Sequence, residues 1–195
     1  MTNNSKNNVY FANYYLKQVV ATEIQDYNPV KERLSRIHLS LIKDTLKNIL
    51  PQIDNLDLLK KEIFYNKKTD LIDNVDNLNE LIEKTKLPEN ILKNFNQNDI
   101  RILHHLLGII TESAELLQAL LNRIDNQEFD IINLKEEAGD IGWYLWGFVD
   151  AIQSNIAEVM DINGKKLKAR YPDKFSNESA NNRDLANERK ILENK

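Results

Sequence analysis

Between Ile100 and Ile124 the apolar residues fall alternately three and four positions apart: Ile100, Leu103, Leu107, Ile110, Ala114, Leu117, Leu121 and Ile124. A seam of that period fits one side of an α-helix and no strand. Asn98 stands where an N-cap belongs, directly before Asp99. A second row, Ile102, Leu106, Ile109, Ser113, Leu116 and Leu120, widens the apolar face, so this helix is expected to be largely buried. The pattern recurs through Leu134, Ala138, Ile141, Leu145, Phe148 and Ile152, with Asn133 and Glu136 placed for a capping box. The intervening stretch holds the turn formers Asp125, Asn126 and Asp130, so the pair is expected to pack antiparallel.

Each helix carries two acids three residues apart. Glu112 and Glu115 fall in a row with His105, Gly108 and Ala119; Glu137 and Asp140 fall in a row with Tyr144, Gly147 and Ala151. Residues three or four apart are helix neighbours, and the small residues predict a hollow in each row beyond its acids. If the rows face each other, four carboxylates share one space. They repel one another and lose solvation unless cations neutralise them. Oxygen donors in a chain without cysteine suit Mg²⁺, with Mn²⁺ as the alternative. Spacing alone leaves a second reading open, in which the same acids are solvated helix charges.

The order Glu112-x-x-Glu115 followed by Glu137-x-x-Asp140 resembles the signature of the MazG-like, all-α nucleoside triphosphate pyrophosphohydrolases. His104 precedes Glu112 as in that family's lead-in, and Glu136-Glu137-Ala138-Gly139-Asp140 runs on into Trp143-Tyr144-Leu145. Asn163, Lys166-Leu167, Arg170-Tyr171-Pro172 and Asn182-Arg183-Asp184-Leu185 continue the likeness, which covers roughly residues 97–195. Ala114 stands where the family often has glycine. The resemblance implies a four-helix core with additional helices, and hydrolysis of a (d)NTP at the α-phosphorus to the monophosphate and pyrophosphate. It implies Mg²⁺ on Glu112, Glu115, Glu137 and Asp140, with Glu112 or Glu137 taking the proton of water. Asn163 and Lys166 become phosphate or nucleotide contacts; by spacing they share a helix face with Arg170, which otherwise reads as an ordinary basic face. Tyr144 either packs against the base or is a core tyrosine. His104, about 80° round the helix from Glu112, is placed near substrate rather than on the metal.

Net charge is −4, which argues against nucleic acid as the main partner. Only 5 glycines and 4 prolines interrupt 195 residues, as in an all-helical bundle expected to be a single domain. No stretch is apolar enough to span a membrane, and the first residues have no apolar signal core, so a cytoplasmic protein is expected. No Gly-rich phosphate loop occurs, and no histidine follows a glutamate by three as a di-iron bundle requires.

Ahead of the acid-bearing helices, residues 1–8 read as a disordered tail and Val9 to Glu23 as a short helix with Tyr10, Phe11, Tyr14 and Tyr15. Pro29 opens a helix through Leu34, Ile37 and Leu41 that Pro51 ends or kinks, with His38 packed or on its surface. Residues 52–97 read as an extra helical insert, and 98–195 as the catalytic core with C-terminal helices. The apolar excess on the two acid-bearing helices, Trp143 and Trp146 included, predicts a homodimer or larger homo-oligomer. The alternative function is a non-catalytic helical nucleotide-binding regulator or assembly scaffold.

Overall fold

A computed structural model describes residues 15–17, 19–72, 78–86, 88 and 90–193. The proposed tail at 1–8 and the residues Tyr10, Phe11 and Tyr14 lie outside the described residues. In chain order the helices are α1 (Asn28–Arg33), α2 (Arg36–Tyr65), α3 (Leu78–Thr85), α4 (Gln97–Ile124), α5 (Ile131–Ala151), α6 (Ile156–Arg170), α7 (Asn177–Asn181) and α8 (Leu185–Leu192). A 3-10 turn lies at Ile91–Asn94, and helical residues also occur between 15 and 22. The described residues contain no strand, so the protein is all-α. No described helix is long and apolar enough to cross a membrane.

The chain divides into two compact units, Ser35–Gln153 and Met1–Leu34 with Ser154–Lys195. The boundary at Ser35 has a local cause. The helix expected to start at Pro29 and continue past Ile37 is instead interrupted, because Leu34 is extended and Ser35 caps a new helix. Ser35 Oγ accepts the His38 N–H, and the Ser35 N–H is donated to His38 Nδ1 at 3.1 Å. His38 therefore closes a capping box, a role usually filled by Glu or Gln.

Pro51 neither ends nor divides α2, which runs on to Tyr65. A proline inside a helix costs about 3 kcal/mol in lost hydrogen bonding and ring clash. Packing offsets it: Leu46 and Leu50 of α2 form a buried cluster with Ala114 and Leu121 of α4, flanked by Ile53 and Leu117. The expected insert at 52–97 therefore begins inside α2, and the second half of this helix belongs to the body of the unit. Asn66 ends it in the left-handed conformation, φ 51°, with the Lys67 N–H bonded to the Lys61 carbonyl.

The caps of α4 and α5 each sit a little ahead of their predicted places. Asn96, not Asn98, caps α4, in a reciprocal box with Asp99. Asp130, not Asn133, caps α5, accepting from the N–H groups of Ile132 and Asn133. Asn133 is thereby released for another partner.

Helix α4 packs against both α2 and α5. Its buried stripe is His105, Gly108, Thr111, Ala114 and Leu121, whereas Ile100, Leu106, Ile110 and Leu120 are exposed. On α5 the buried residues are Glu137, Tyr144, Val149 and Ala151. The helices are rotated from the arrangement the seams predicted: His105, Gly108, Glu137 and Tyr144 of the acid-bearing rows turn inward and part of each apolar seam faces out. Two glycines explain the rotation. Gly108 lies under the Tyr144 ring, where an added Cβ would come within 2.1 Å, and Gly147 lies under the His105 ring, at 2.0 Å. Each helix thus presses one ring into the other's backbone.

The described long helices of this unit are α2, α4 and α5; α6 belongs to the other unit. There α6 is capped by Asn155, which accepts the Glu158 N–H at 2.9 Å, and it packs against α8.

Gly108→Ala should destabilise the protein, because overpacking by about 1–3 kcal/mol exceeds the ~1 kcal/mol gain in helix propensity. Gly139→Ala, with nothing within 4 Å of the new Cβ, should instead stabilise by about 0.5–1 kcal/mol. Denaturant unfolding of the two variants checks the opposite signs.

Candidate metal centre

Glu112 of α4 meets Glu137 and Asp140 of α5, each offering one carboxylate oxygen, with the three oxygens within 4.8 Å of one another. The i, i+3 spacing aligns Glu137 with Asp140, and the ring-on-glycine contacts turn that row toward α4. Glu137 is buried, Glu112 is half-buried and Asp140 is exposed, so the cluster opens to solvent on the Asp140 side. Asn133, freed from capping, donates Nδ2–H to Glu137 Oε1 at 2.6 Å. Burial first, and then the negative charge of Glu115, push the Glu137 carboxyl above its ordinary range; the Asn133 bond opposes this and the charges of Glu112 and Glu136 add to it. A set of carboxylate oxygens held together against their own repulsion is the donor chemistry of a hard divalent cation.

Glu115, expected as the fourth ligand, is not part of the converged set. It lines an adjoining cleft of about 240 Å³ together with Asp54, Asp57, Thr111 and Gln118. Its charge still acts on Glu137, so it borders the centre without entering it.

Sequence reasoning missed Lys60. Its side chain is 3% exposed, and its ammonium donates to Thr111 Oγ1 at 2.7 Å and Glu112 Oε1 at 3.1 Å, with Asp57 Oδ1 at 3.0 Å. Burial works to lower its pKa, but the bonds and charges of Asp57 and Glu112 prevail and leave it above the ordinary lysine value. Asp57 is depressed below the usual carboxylate range: burial raises it, and bonds to Lys61 and Lys60 more than reverse that. A signal was present. Leu46, Leu50, Ile53, Asp57, Lys60 and Phe64 continue one three-and-four seam, which puts Asp57 and Lys60 at inward positions.

The expected hollow beyond the acids is filled by rings. Tyr144 is buried over Gly108, and its hydroxyl pairs with that of Tyr65 at 3.1 Å. Burial, and then the Tyr65 bond, push its hydroxyl up to about 12. Tyr144 is thus packed between α4 and α5. His104 stacks on Phe64 with centroids 4.4 Å apart and shares a hydrogen bond of 3.1 Å between Nε2 and the Tyr65 hydroxyl. Burial, then the charges of His105 and Lys60, lower its pKa. Beside it, the buried His105 has a ring nitrogen, Nδ1, with no hydrogen-bond partner.

Asn163, Lys166 and Arg170 lie on α6, in the other unit. Asn163 donates to the Tyr15 hydroxyl at 2.6 Å, and Lys166 is half-buried. Arg170 is not a free cation. It grips the buried Glu188 by both arms, Nε to Oε1 at 2.8 Å and Nη2 to Oε2 at 2.7 Å, and Arg183 adds another bond to Oε2 at 2.7 Å. These bonds, Arg170 first, hold the Glu188 carboxyl down at about 2.

Compared with known proteins, the chain matches no family model, no curated sequence and no solved structure.

Because the folded Glu188 titrates below its unfolded value, its stabilisation is present above pH 4.5 and lost as pH falls toward 2. Glu188→Gln should therefore cost about 3 kcal/mol at neutral pH. The gap to the wild type should shrink steadily below pH 4.5, as thermal unfolding across a pH series will record.

Proposed function

We propose that this chain is a divalent-cation-dependent nucleoside triphosphate pyrophosphohydrolase of the MazG-like type. The observation that carries the reading is the convergence of Glu112, Glu137 and Asp140, contributed by Glu-x-x-Glu and Glu-x-x-Asp motifs on neighbouring helices. Glu112, Glu137 and Asp140 would hold Mg²⁺, or Mn²⁺, which supplies charge neutralisation at the phosphate oxygens and a more acidic water.

The rest falls to the chain. Glu137 is a carboxylate of the cluster placed to receive a proton from water. With Oε1 held by Asn133, its other oxygen takes the proton of the water that attacks the α-phosphorus. The new P–O bond forms as the bond to the bridging oxygen breaks, and pyrophosphate leaves with that electron pair. Exposure of Asp140 gives the triphosphate a route to the cluster. Arg170 is engaged by Glu188, a carboxylate that it shares with Arg183. His104, bonded to Tyr65 and stacked on Phe64, orders the aromatic wall and does not bind the cation.

A non-catalytic reading draws on one observation, the Lys60–Glu112 bond, since acids partly neutralised from within can be purely architectural. The two readings separate on pyrophosphate release. Wild-type protein with Mg²⁺ or Mn²⁺ should release pyrophosphate from at least one member of a panel of canonical and modified (d)NTPs. Glu137→Gln and Asp140→Asn should each lower the rate by 100-fold or more, about 2.7 kcal/mol of barrier, without loss of fold. No release from any member of the panel ends the enzymatic reading.

Leu106, Ile110, Leu145 and Trp146 are exposed on α4 and α5, which supports a homodimer or larger assembly. Light scattering should return at least twice the chain mass; a monomer at micromolar concentration contradicts the assembly.

A further inference from the structure

Buried lysines among acids are unusual because both partners lose solvation, and they persist where every donor is matched. Lys60 meets that condition. Thr111 Oγ1, Asp57 Oδ1 and Glu112 Oε1 stand at 2.7, 3.0 and 3.1 Å from its nitrogen, matching the donors of an ammonium. Thr111 has its own acceptor in the Gly108 carbonyl at 3.1 Å, so its oxygen is free to accept from Lys60. The Tyr144 ring, with its centroid 5.3 Å from the nitrogen, adds a π-face. The side chain is 3% exposed, so it is enclosed at this position rather than swinging in solvent.

Glu112 is the residue shared by this lysine cage and the carboxylate triad. We propose that Lys60 is an internal counter-ion, holding Glu112 in the cation-free protein and competing with a divalent cation for the same carboxylate. The competition rests on the cation-site reading given above; the counter-ion role does not. A fixed positive charge 3.1 Å from a Glu112 oxygen repels an incoming cation and draws on the negative charge that would bind it. The same charge compensates the cluster when no cation is bound, so the site stays assembled. Lys60 thus trades affinity for readiness: the centre binds its cation more weakly than bare acids would, and it need not refold after release.

The test uses the full chain with Mn²⁺ alone, no nucleotide present. Lys60→Met should bind Mn²⁺ about tenfold tighter by calorimetry, while its melting temperature in chelator falls by about 5 °C. That deficit should close at saturating Mn²⁺. Lys60→Arg keeps the charge and should stay within about twofold of the wild-type affinity. A lysine that served only packing would weaken both properties together, so equal or weaker Mn²⁺ binding by Lys60→Met overturns the competition. Independently of any cation, a cycle of Lys60→Met, Glu112→Gln and the double variant in chelator should show coupling, with the double variant no less stable than Lys60→Met. Simple addition of the two losses overturns the counter-ion. Coupling in the cycle with no Mn²⁺ binding by the wild type overturns the cation site and the competition, and upholds the counter-ion.

Discussion

Two rings pressed onto two glycines set the geometry of the unit that bears the acids. Tyr144 of α5 lies on Gly108 of α4, and His105 of α4 lies on Gly147 of α5. The contact is reciprocal, so it fixes both the separation of the helices and their rotation about their own axes. Rotation is the consequential part. With the rings seated, Glu112 points toward the face where Glu137 and Asp140 emerge, and the three carboxylate oxygens come within 4.8 Å. Neighbouring leucines and isoleucines, which would have been buried by a seam-to-seam packing, are left at the flanks.

Convergence of acids carries an electrostatic penalty, and the unit meets it in different ways on its different sides. On the α2 side Lys60 sets a full positive charge against Glu112 and Asp57. Toward the start of α5 Asn133 contributes only a neutral hydrogen bond, and Glu137 is left with a raised proton affinity. The asymmetry makes Glu112 and Glu137 chemically unlike although both are glutamates on facing helices. One is partly neutralised and pinned by Lys60; the other is buried, with its proton affinity raised.

How much of this could be read from the chain depended on range. The three-and-four seams fixed α4 and α5 as helices because periodicity is a local property, and the i, i+3 acids were visible for the same reason. Capping was legible in kind and misplaced in detail, since Asn and Asp crowd both helix starts and several can accept the same N–H groups. The orientation of the acid rows was not legible, because it is decided between Gly108 and Tyr144 and between His105 and Gly147, residues far apart in sequence. That Pro51 does not end α2 has a related reason: its local cost is real, and the packing of Leu46 and Leu50 that offsets it is tertiary. Lys60 hid in plain view, since the run Leu58-Leu59-Lys60-Lys61 resembles an ordinary helix edge until the seam from Leu46 to Phe64 is followed through it.

Both tryptophans of the chain, Trp143 and Trp146, sit on α5. Trp143 is a single turn beyond Asp140, with its ring 4.9 Å from Tyr144 and 5.6 Å from His105. The indole emission of the whole molecule therefore originates from a single helix, beside the acids and against the rings that seat it. Tryptophan fluorescence becomes a built-in gauge of the α4–α5 contact, readable without any label, while the unit formed by the two ends of the chain contributes no indole.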